Sequence, residues 1–350
     1  MSCKILILNI MNYIQNLGYI GQKEHVGRLN NYIHAERSKK HFLPPIALFG
    51  PRGFGKTELA KSIGACLLLN DGLTPKDFIE IQGSGVKSKR WFIDNIIIRH
   101  LNVGPCTLFI DEVHDMPIAV KNWIMPLLYP NREGVVEISD DNQDYILNYN
   151  QISIIIATTD SHRLSQAFVS RCQRFDLGPY EYEELAQIAK RGLDGICITD
   201  EVMPHLVKCG RNTPRMIVNL INNLRIWSSN NDVEVINLSA WKDFGIAFGV
   251  KPLGVTRNEV EYLKYLSQSR RTLTMLASKL KLDPSTVRED IESYLIDEDL
   301  IVIDGERSIT TKGQVVLQDI LAQEALILEK KNQELIITTE NTLTNEIAVE

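Results

Sequence analysis

The stretch Gly50-Pro51-Arg52-Gly53-Phe54-Gly55-Lys56-Thr57 follows the apolar run Ile46–Phe49 and precedes a helical pattern that begins at Glu58. It fits the pattern GxxxxGK[ST], in which glycines let backbone N–H groups surround a phosphate at the start of a helix. Lys56 supplies a positive charge to the β- and γ-phosphates, and the Thr57 hydroxyl is a ligand for Mg²⁺. We therefore predict a nucleotide site formed by Gly50, Pro51, Arg52, Gly53, Phe54, Gly55, Lys56, Thr57 and Glu58.

A second motif lies at the end of the apolar run Thr107 to Ile110, which continues directly into Asp111 and Glu112. Consecutive residues of a strand point to opposite faces, so the two carboxylates can have different roles. Asp111 is predicted to complete the Mg²⁺ site, and Glu112 to orient and deprotonate the attacking water. The pair extends the predicted site from nucleotide binding to hydrolysis.

Two further positions are candidates for sensing and stabilising the γ-phosphate. The apolar run Ile152 to Ala157 ends in two threonines, and the second of them, Thr159, is placed between Glu112 and the γ-phosphate. Farther along, the Arg171 guanidinium can stabilise transition-state charge on the nucleotide of a neighbouring subunit, with Arg174 as the alternative.

A last candidate lies at the predicted start of a helix, in Asn212-Thr213-Pro214-Arg215. Pro214 suits the first helical position and leaves Arg215 in the first turn. A cation gains nothing from the helix dipole there, so we predict that Pro214 and Arg215 face the nucleotide, with Arg215 directed at a phosphate.

Short apolar runs alternate with amphipathic stretches between Ile46 and about Pro179, which is typical of a parallel sheet covered by helices. The predicted strands are Ile46 to Phe49, Phe78 to Ile81, Thr107 to Ile110 and Ile152 to Ala157. We predict an α/β domain over 1–180, a small helical domain over 181–250, a winged-helix domain over 251–320 and an acidic helix or tail over 321–350. The apolar run Ile5 to Ile10 is predicted to form a short N-terminal element.

The winged-helix prediction depends on three helical runs, 258–266, 272–280 and 284–296, followed by the strands Ile301 to Ile303 and Arg307 to Thr310. The two strands meet across Asp304-Gly305, a strong hairpin-turn signal. Candidate DNA-phosphate contacts are Arg270, Arg271, Ser285, Thr286, Arg288 and Arg307. Residues 256–313 carry 9 Lys+Arg and 11 Asp+Glu, and this net charge of −2 leaves a protein-binding role open for the domain.

The order of the motifs GPRGFGKT, FIDE, ATT, SRC and TPR resembles that of the AAA+ ATPases. Further stretches are similar to the RuvB family of bacterial Holliday-junction branch-migration motors, and the resemblance covers roughly residues 18 to 315. These stretches are Gly18 to Gln22, Leu48 to Pro51, Phe109 to His114, Leu128 to Pro130, Ala157 to Thr159 and Thr213 to Arg215. The resemblance implies an AAA+ P-loop domain with a helical lid, ATP and Mg²⁺ as cofactors, Tyr19 and Ile20 beside the adenine, and a ring, hexameric in the family.

The chain departs from the RuvB pattern at four points. Arg52 stands where such motors usually carry Pro, and Asp115 and Asp160 stand where RuvB proteins have Arg. Val169 replaces the first Arg of the LRxRF segment, so that Arg171 alone is kept. These differences indicate a divergent relative.

Apolar residues on either side of a polar turn at 139–144 predict a β-hairpin near 134–148. By the resemblance, this is where RuvB carries the insertion that binds its RuvA partner. The predicted partner contacts are Val135, Ile138, Tyr145 and Leu147; a hairpin that packs on its own domain is the alternative.

The whole chain has 38 Lys+Arg against 44 Asp+Glu, a net charge of −6, which argues against a surface covered in basic residues. Six cysteines without a CxxC pair favour reduced thiols and a cytoplasmic protein, and no apolar run approaches the ~20 residues that span a membrane. We expect an ATP-dependent motor, a helicase or translocase acting on duplex or branched DNA. The alternatives are an ATP-switched assembly or loading factor acting on a protein partner, and a catalytically silent scaffold.

Overall fold

The computed structural model describes residues 12–140, 143–193 and 195–325. The predicted N-terminal element and most of the predicted acidic helix or tail lie outside these residues. The described residues form two compact units. The first runs to Ile188 and includes Asn212–Arg215, and the second comprises Ala189–Arg211 and the described residues from Met216 onward. Within the described residues, no helix is long and apolar enough to cross a membrane.

The first unit is built on a five-stranded sheet in which all neighbouring strands are parallel. Its strands are β1 Ile46–Phe49, β2 Asp77–Gln82, β3 Cys106–Asp111, β6 Ile152–Thr158 and β7 Gln173–Asp176. They lie in the order β2-β3-β6-β1-β7. The predicted α/β class is confirmed, and the four predicted strands are present to within one residue at each end.

The two faces of this sheet enter two different hydrophobic cores. Ala47 and Phe49 of β1 belong to one core, and Ile46 and Leu48 belong to the other. Every residue of β1 and β6 is buried. Because both faces are covered, these strands read as continuous apolar runs rather than as an alternation.

Helices cover the sheet, and one short turn is central to the site. This turn, Val113–Asp115, begins immediately after the acid pair that ends β3. The helices of the first unit are α1 Tyr13–Asn16, α2 Lys23–Arg37, α3 Lys56–Cys66, α4 Lys89–Phe92 continued by the π-helix Ile93–Leu101, α5 Ile118–Trp123, α6 Gln166–Val169 and α7 Tyr182–Gly192, which extends into the second unit. Further short 3-10 turns are Gly83–Gly85, Met125–Leu128 and Ser161–Arg163.

The predicted hairpin is formed by β4 Val135–Asp140 and β5 Gln143–Asn148, which pair antiparallel. Ile138, Tyr145 and Leu147 are buried in the core of their own unit, so their assignment as partner contacts is wrong. The alternation of the strands gives the reason, because the apolar side chains that pair across the hairpin all face inward. On the opposite face, Val135 is half-buried and Ile146 is 69% exposed.

The second unit begins with helices and one short strand pair. The pair, β8 Cys197–Ile198 and β9 Val235–Ile236, is parallel and was not predicted, because two residues are too short to show an alternating pattern. The helices of this segment are α8 Met203–Cys209, α9 Pro214–Asn230 and α10 Leu238–Phe248.

Three helices and a hairpin follow, as the winged-helix pattern predicts. The helices are α11 Arg257–Gln268, α12 Leu273–Leu280, and α13 Pro284–Thr286 continued by the π-helix Val287–Glu292 and by α14 Ser293–Asp297. The strands β10 Ile301–Asp304 and β11 Glu306–Ile309 turn at Gly305, whose φ of 66° favours glycine. Residues 311–325 are helical.

A buried ion pair attaches the wing to the helices. The Glu292 carboxylate, with 1% of its side chain exposed, accepts hydrogen bonds from Arg307 Nε at 2.8 Å and from Tyr262 Oη at 2.6 Å. The Arg307 side chain is only 12% exposed, so its predicted role as a DNA-phosphate contact is wrong. Arg271 is half-buried and donates to the Tyr265 carbonyl, whereas Arg270 is exposed.

We predict that Arg307→Met lowers the free energy of unfolding by about 3–5 kcal/mol, because it leaves the Glu292 carboxylate buried without its charge partner. The exposed Arg270→Met is the matched control and should change stability by about 0.5 kcal/mol or less. Urea denaturation followed by circular dichroism measures both. Equal stability losses in the two variants would contradict a structural role for Arg307.

Candidate nucleotide-hydrolysis site

The glycine-rich loop connects β1 to α3 and leaves backbone donors free at the start of the helix. Gly53 and Gly55 have φ values of 86° and 84°, a region that favours glycine. Within the part of the chain that the structure describes, the N–H groups of Gly53 through Thr57 donate no hydrogen bond. These donors, at the positive end of the helix dipole, fit a phosphate group.

Lys56 is held over the same loop. Its Nζ donates to the carbonyl oxygens of Gly50 at 2.7 Å and Pro51 at 3.0 Å. Burial lowers the pKa of Lys56, and the carboxylates of Glu112 and Asp111 oppose this effect. The ammonium group is therefore fixed by the loop and stays within range of the charge of the acid pair. Of the remaining predicted loop residues, Phe54 is half-buried and Pro51, Arg52 and Glu58 are exposed.

Two tyrosines lie against the other side of the loop. Tyr19 is buried, and its hydroxyl lies 3.0 Å from the hydroxyl of Tyr180. Gly55 lies beneath them, because a Cβ on this glycine would be 2.8 Å from Tyr180 Oη and 3.3 Å from Tyr19 Oη. Burial raises the pKa values of both phenols, so they stay neutral. Ile20, predicted to lie beside the adenine, is half-buried.

The segment that carries Tyr19 is attached to the end of the sheet by Gln22. Its Nε2 donates to the Gly178 carbonyl at 2.7 Å, and its Oε1 accepts from the Gly178 N–H at 3.2 Å. Sequence reasoning missed Tyr180, because its partner Tyr19 lies far away along the chain and no local pattern links the two.

Oxygen donors from two elements meet where a magnesium ion is expected. Thr57 Oγ1 donates to Asp111 Oδ2 at 3.4 Å, and Gln82 Nε2 lies at the same distance from that oxygen. The other carboxylate oxygen of Asp111 accepts from the Glu112 N–H at 3.0 Å. A hydroxyl and a carboxylate are ligands of the kind that Mg²⁺ prefers, so Thr57 and Asp111 fit the ion.

Glu112 is fixed by its backbone and by Thr159. Its φ is 47°, a left-handed conformation unusual for a residue other than glycine. Its Oε2 accepts hydrogen bonds from the Thr159 N–H at 2.9 Å and from the Thr159 hydroxyl at 3.0 Å. Gly83 allows this close packing, because a Cβ there would lie 2.2 Å from the Glu112 carbonyl oxygen. The two predicted residues are thus in direct contact.

The sequence motif contained His114, but sequence reasoning assigned it no role. The imidazole is 7% exposed, and its Nδ1 lies 2.8 Å from Thr158 Oγ1 and 3.2 Å from Glu112 Oε2. A histidine two positions after a predicted general base was the available signal.

Arg215 lies beside the glycine-rich loop. Helix α9 begins at Pro214, as predicted, and Arg215 is in its first turn. A Cβ on Gly53 would lie 3.3 Å from Arg215 Cβ, and the positive charge of Arg215 contributes to lowering the pKa of Lys56. Both observations place this arginine next to the predicted phosphates.

The two candidates for the arginine that acts on a neighbouring subunit have different surroundings. Arg174 is bound by two hydrogen bonds at 2.6 and 2.9 Å to one oxygen of Asp176 and lies over the Phe49 ring. Arg171 donates to the Ala167 carbonyl, and its guanidinium lies 5.9 Å from the centre of the Tyr129 ring. Among the described residues, no carboxylate pairs with Arg171.

The AAA family model (ATPase family associated with various cellular activities) matches residues 46–179, and the RuvB C-terminal winged helix domain model matches residues 252–318. The chain is 29% identical over 306 residues to the Holliday junction branch migration complex subunit RuvB of Campylobacter lari. This alignment covers 85% of this chain and 86% of the Campylobacter lari protein. RuvB of Campylobacter jejuni matches with the same identity and coverage. The chain is a divergent RuvB-like AAA+ ATPase.

The fold agrees with this assignment. The RuvB Holliday junction branch migration motor of Thermotoga maritima superposes with a TM-score of 0.64 at 23% identity, over 85% of this chain and 95% of that one. The AAA match spans the sheet with its glycine-rich loop and acid pair, and the RuvB winged helix match spans the hairpin with its Glu292 ion pair.

We predict that Gly55→Ala lowers nucleotide affinity about tenfold or more, because the new methyl group displaces Tyr180 and Tyr19 from the loop; ~1.4 kcal/mol corresponds to tenfold. Gly72→Ala is the matched control, since Gly72 also has a positive φ, of 70°, but no atom lies within 4 Å of its added Cβ. Titration with a fluorescent ATP analogue measures both. Equal affinities would show that the two tyrosines do not restrict the loop.

Proposed function

We propose that this RuvB-like ATPase is a ring-forming motor that uses ATP and Mg²⁺ to move duplex or branched DNA. The observation that carries the proposal is the presence, in one chain, of an AAA domain whose Thr57 meets Asp111 and whose Thr159 meets Glu112, and of a RuvB winged helix domain. The relatives matched over most of their length are subunits of a Holliday junction branch migration complex. These findings do not favour the alternative of a loading factor for a protein partner.

In the proposed reaction, the free N–H groups of the loop and Lys56 bind the β- and γ-phosphates. Thr57 and Asp111 would hold the Mg²⁺ ion, which would neutralise negative charge on the phosphates. Glu112 orients and deprotonates the water, and Thr159 fixes its carboxylate. Tyr19 and Ile20 lie beside the adenine. Arg215 contacts the γ-phosphate from the same chain.

An arginine that completes the site from an adjacent subunit requires an oligomer with head-to-tail contacts, which a ring provides. We assign this role to Arg171, because the Arg174 guanidinium is already occupied by Asp176. A hexamer follows the family resemblance. A RuvA-like partner is proposed to contact the outer face of the hairpin, where Val135 and Ile146 lie, rather than the three buried side chains.

For the winged helix, the proposed DNA contacts are Arg270, Ser285, Thr286 and Arg288, with Arg271 partly available. Arg270, Ser285 and Arg288 are exposed, and Thr286 is half-buried. Ser285 and Arg288 lie at the start of the third helix, which enters the major groove in winged-helix proteins. Arg270, Arg271 and Arg288 are the only cations among these proposed contacts. We therefore predict that the DNA affinity of a single subunit depends only weakly on salt concentration.

The proposed function predicts ATP-dependent branch migration of a synthetic four-way junction, which a gel assay of the separated duplexes measures. Glu112→Gln should bind ATP and the junction but lose about 10²-fold or more of the hydrolysis rate and all migration, because the general base is removed. Wild-type hydrolysis without junction binding at low salt would contradict the DNA motor. Unimpaired hydrolysis by Glu112→Gln would contradict the role of Glu112.

Action across the subunit boundary predicts complementation in mixed rings. Arg171→Ala and Glu112→Gln should each be nearly inactive alone, and a mixture should recover hydrolysis, because some interfaces then pair an intact Glu112 with an intact Arg171. Arg174→Ala is the control and should keep most activity alone. If Arg171→Ala alone hydrolyses ATP at the wild-type rate, or if the mixture hydrolyses ATP no faster than its components, the assignment of Arg171 is wrong.

A further inference from the structure

We infer that His114 is a positioning residue for hydrolysis, which fixes one oxygen of the Glu112 carboxylate so that the other faces the attacking water. The inference rests on the proposed role of Glu112 as the general base. Among the described residues, His114 makes no hydrogen bond or ion pair with the glycine-rich loop or with Thr57 and Asp111; it acts through Glu112.

The hydrogen bonds around Thr158 favour one tautomer of His114. Thr158 Oγ1 lies 3.1 Å from the Asp160 carbonyl oxygen, which can only accept, and it accepts from the Asp160 N–H at 3.1 Å. The same oxygen lies 2.8 Å from His114 Nδ1. Because the threonine hydroxyl has one hydrogen, all these contacts are satisfied when His114 Nδ1 is the donor, and we assign the proton there.

The same Nδ1 atom is in polar contact with Glu112. It lies 3.2 Å from Oε2, the oxygen that already accepts two hydrogen bonds from Thr159. Thr159 and His114 thus approach Oε2 from two chain segments, and Oε1 accepts no hydrogen bond from the described residues. A carboxylate held through one oxygen cannot rotate freely, so the direction of Oε1 is fixed as well.

The short turn that carries the imidazole is itself held in place. Arg163 Nη1 donates to Asp115 Oδ1 at 2.9 Å, which fixes the side chain next to His114. The Lys121 ammonium donates to the His114 carbonyl at 2.8 Å. These contacts fix the turn Val113–Asp115, and with it the position of the imidazole beside the general base.

Substitutions that move the donor separate positioning from simple packing. His114→Asn places an amide N–H close to the position of Nδ1, whereas His114→Gln carries its amide toward the position of Nε2, and His114→Leu has no donor. We expect Leu and Gln to lower kcat about 10- to 100-fold, with the KM for ATP changed less than about twofold, and Asn to restore most of kcat. Thermal unfolding and binding of a fluorescent ATP analogue identify variants that keep the fold and the nucleotide site.

Two comparisons make the result decisive. In a Glu112→Gln background, His114→Leu should cause no further loss, because the group that it positions is already gone. If His114→Leu fails to fold, the comparison of His114→Asn with His114→Gln tests the inference. Equal kcat values for these two variants would overturn it. A folded His114→Leu protein with wild-type kcat would also overturn it. Glu112→Gln with wild-type hydrolysis would instead remove the proposed function of Glu112.

Discussion

The site depends on one geometric constraint: the carboxyl ends of parallel neighbouring strands meet at the same edge of a sheet. The loop that follows β1, the acids that end β3 and the threonines that end β6 come from distant parts of the chain. Pairing of β1 with β6 and of β6 with β3 brings them together, with Phe49 opposite Thr158 and Ile110 opposite Ile156. Burial of both faces fixes this register, since a slip by one residue would exchange the two cores.

The same constraint explains why the two threonines at the end of β6 differ in role. Consecutive residues of a strand point to opposite sides, so Thr158 and Thr159 cannot contact the same group in the same way. Thr159 donates a hydrogen bond to the carboxylate of Glu112, and the Thr158 hydroxyl is hydrogen-bonded to the imidazole of His114. The left-handed conformation of Glu112 starts the short turn that carries His114 back toward the sheet. The strained residue and the buried histidine are therefore parts of one arrangement.

The sequence predicted what depends on local pattern and failed where a partner is distant. The apolar runs located four strands of the sheet, and the glycine-rich loop located the start of α3. Strand β7, Gln173–Asp176, was not predicted because it has one apolar residue among its four. Hairpin strands β4 and β5 were predicted, but the sequence did not show which of their faces is buried, because this depends on the core that lies beneath them. Arg307 was assigned to DNA because its buried partner, Glu292, could not be seen from local sequence.

Ion pairs change the meaning of the acidic charge of the winged-helix region. Arg211 and Arg307 each bind a buried carboxylate of the second unit, Glu259 and Glu292, so these two pairs do not describe the surface that a phosphate would meet. The charge of −2 is then a poor measure of affinity for DNA. In the proposed ring, several subunits would contact one DNA molecule, and linked weak contacts act at high effective concentration. A surface with few free cations can therefore serve a ring, because weak binding by each subunit allows release at every step while the assembly stays attached.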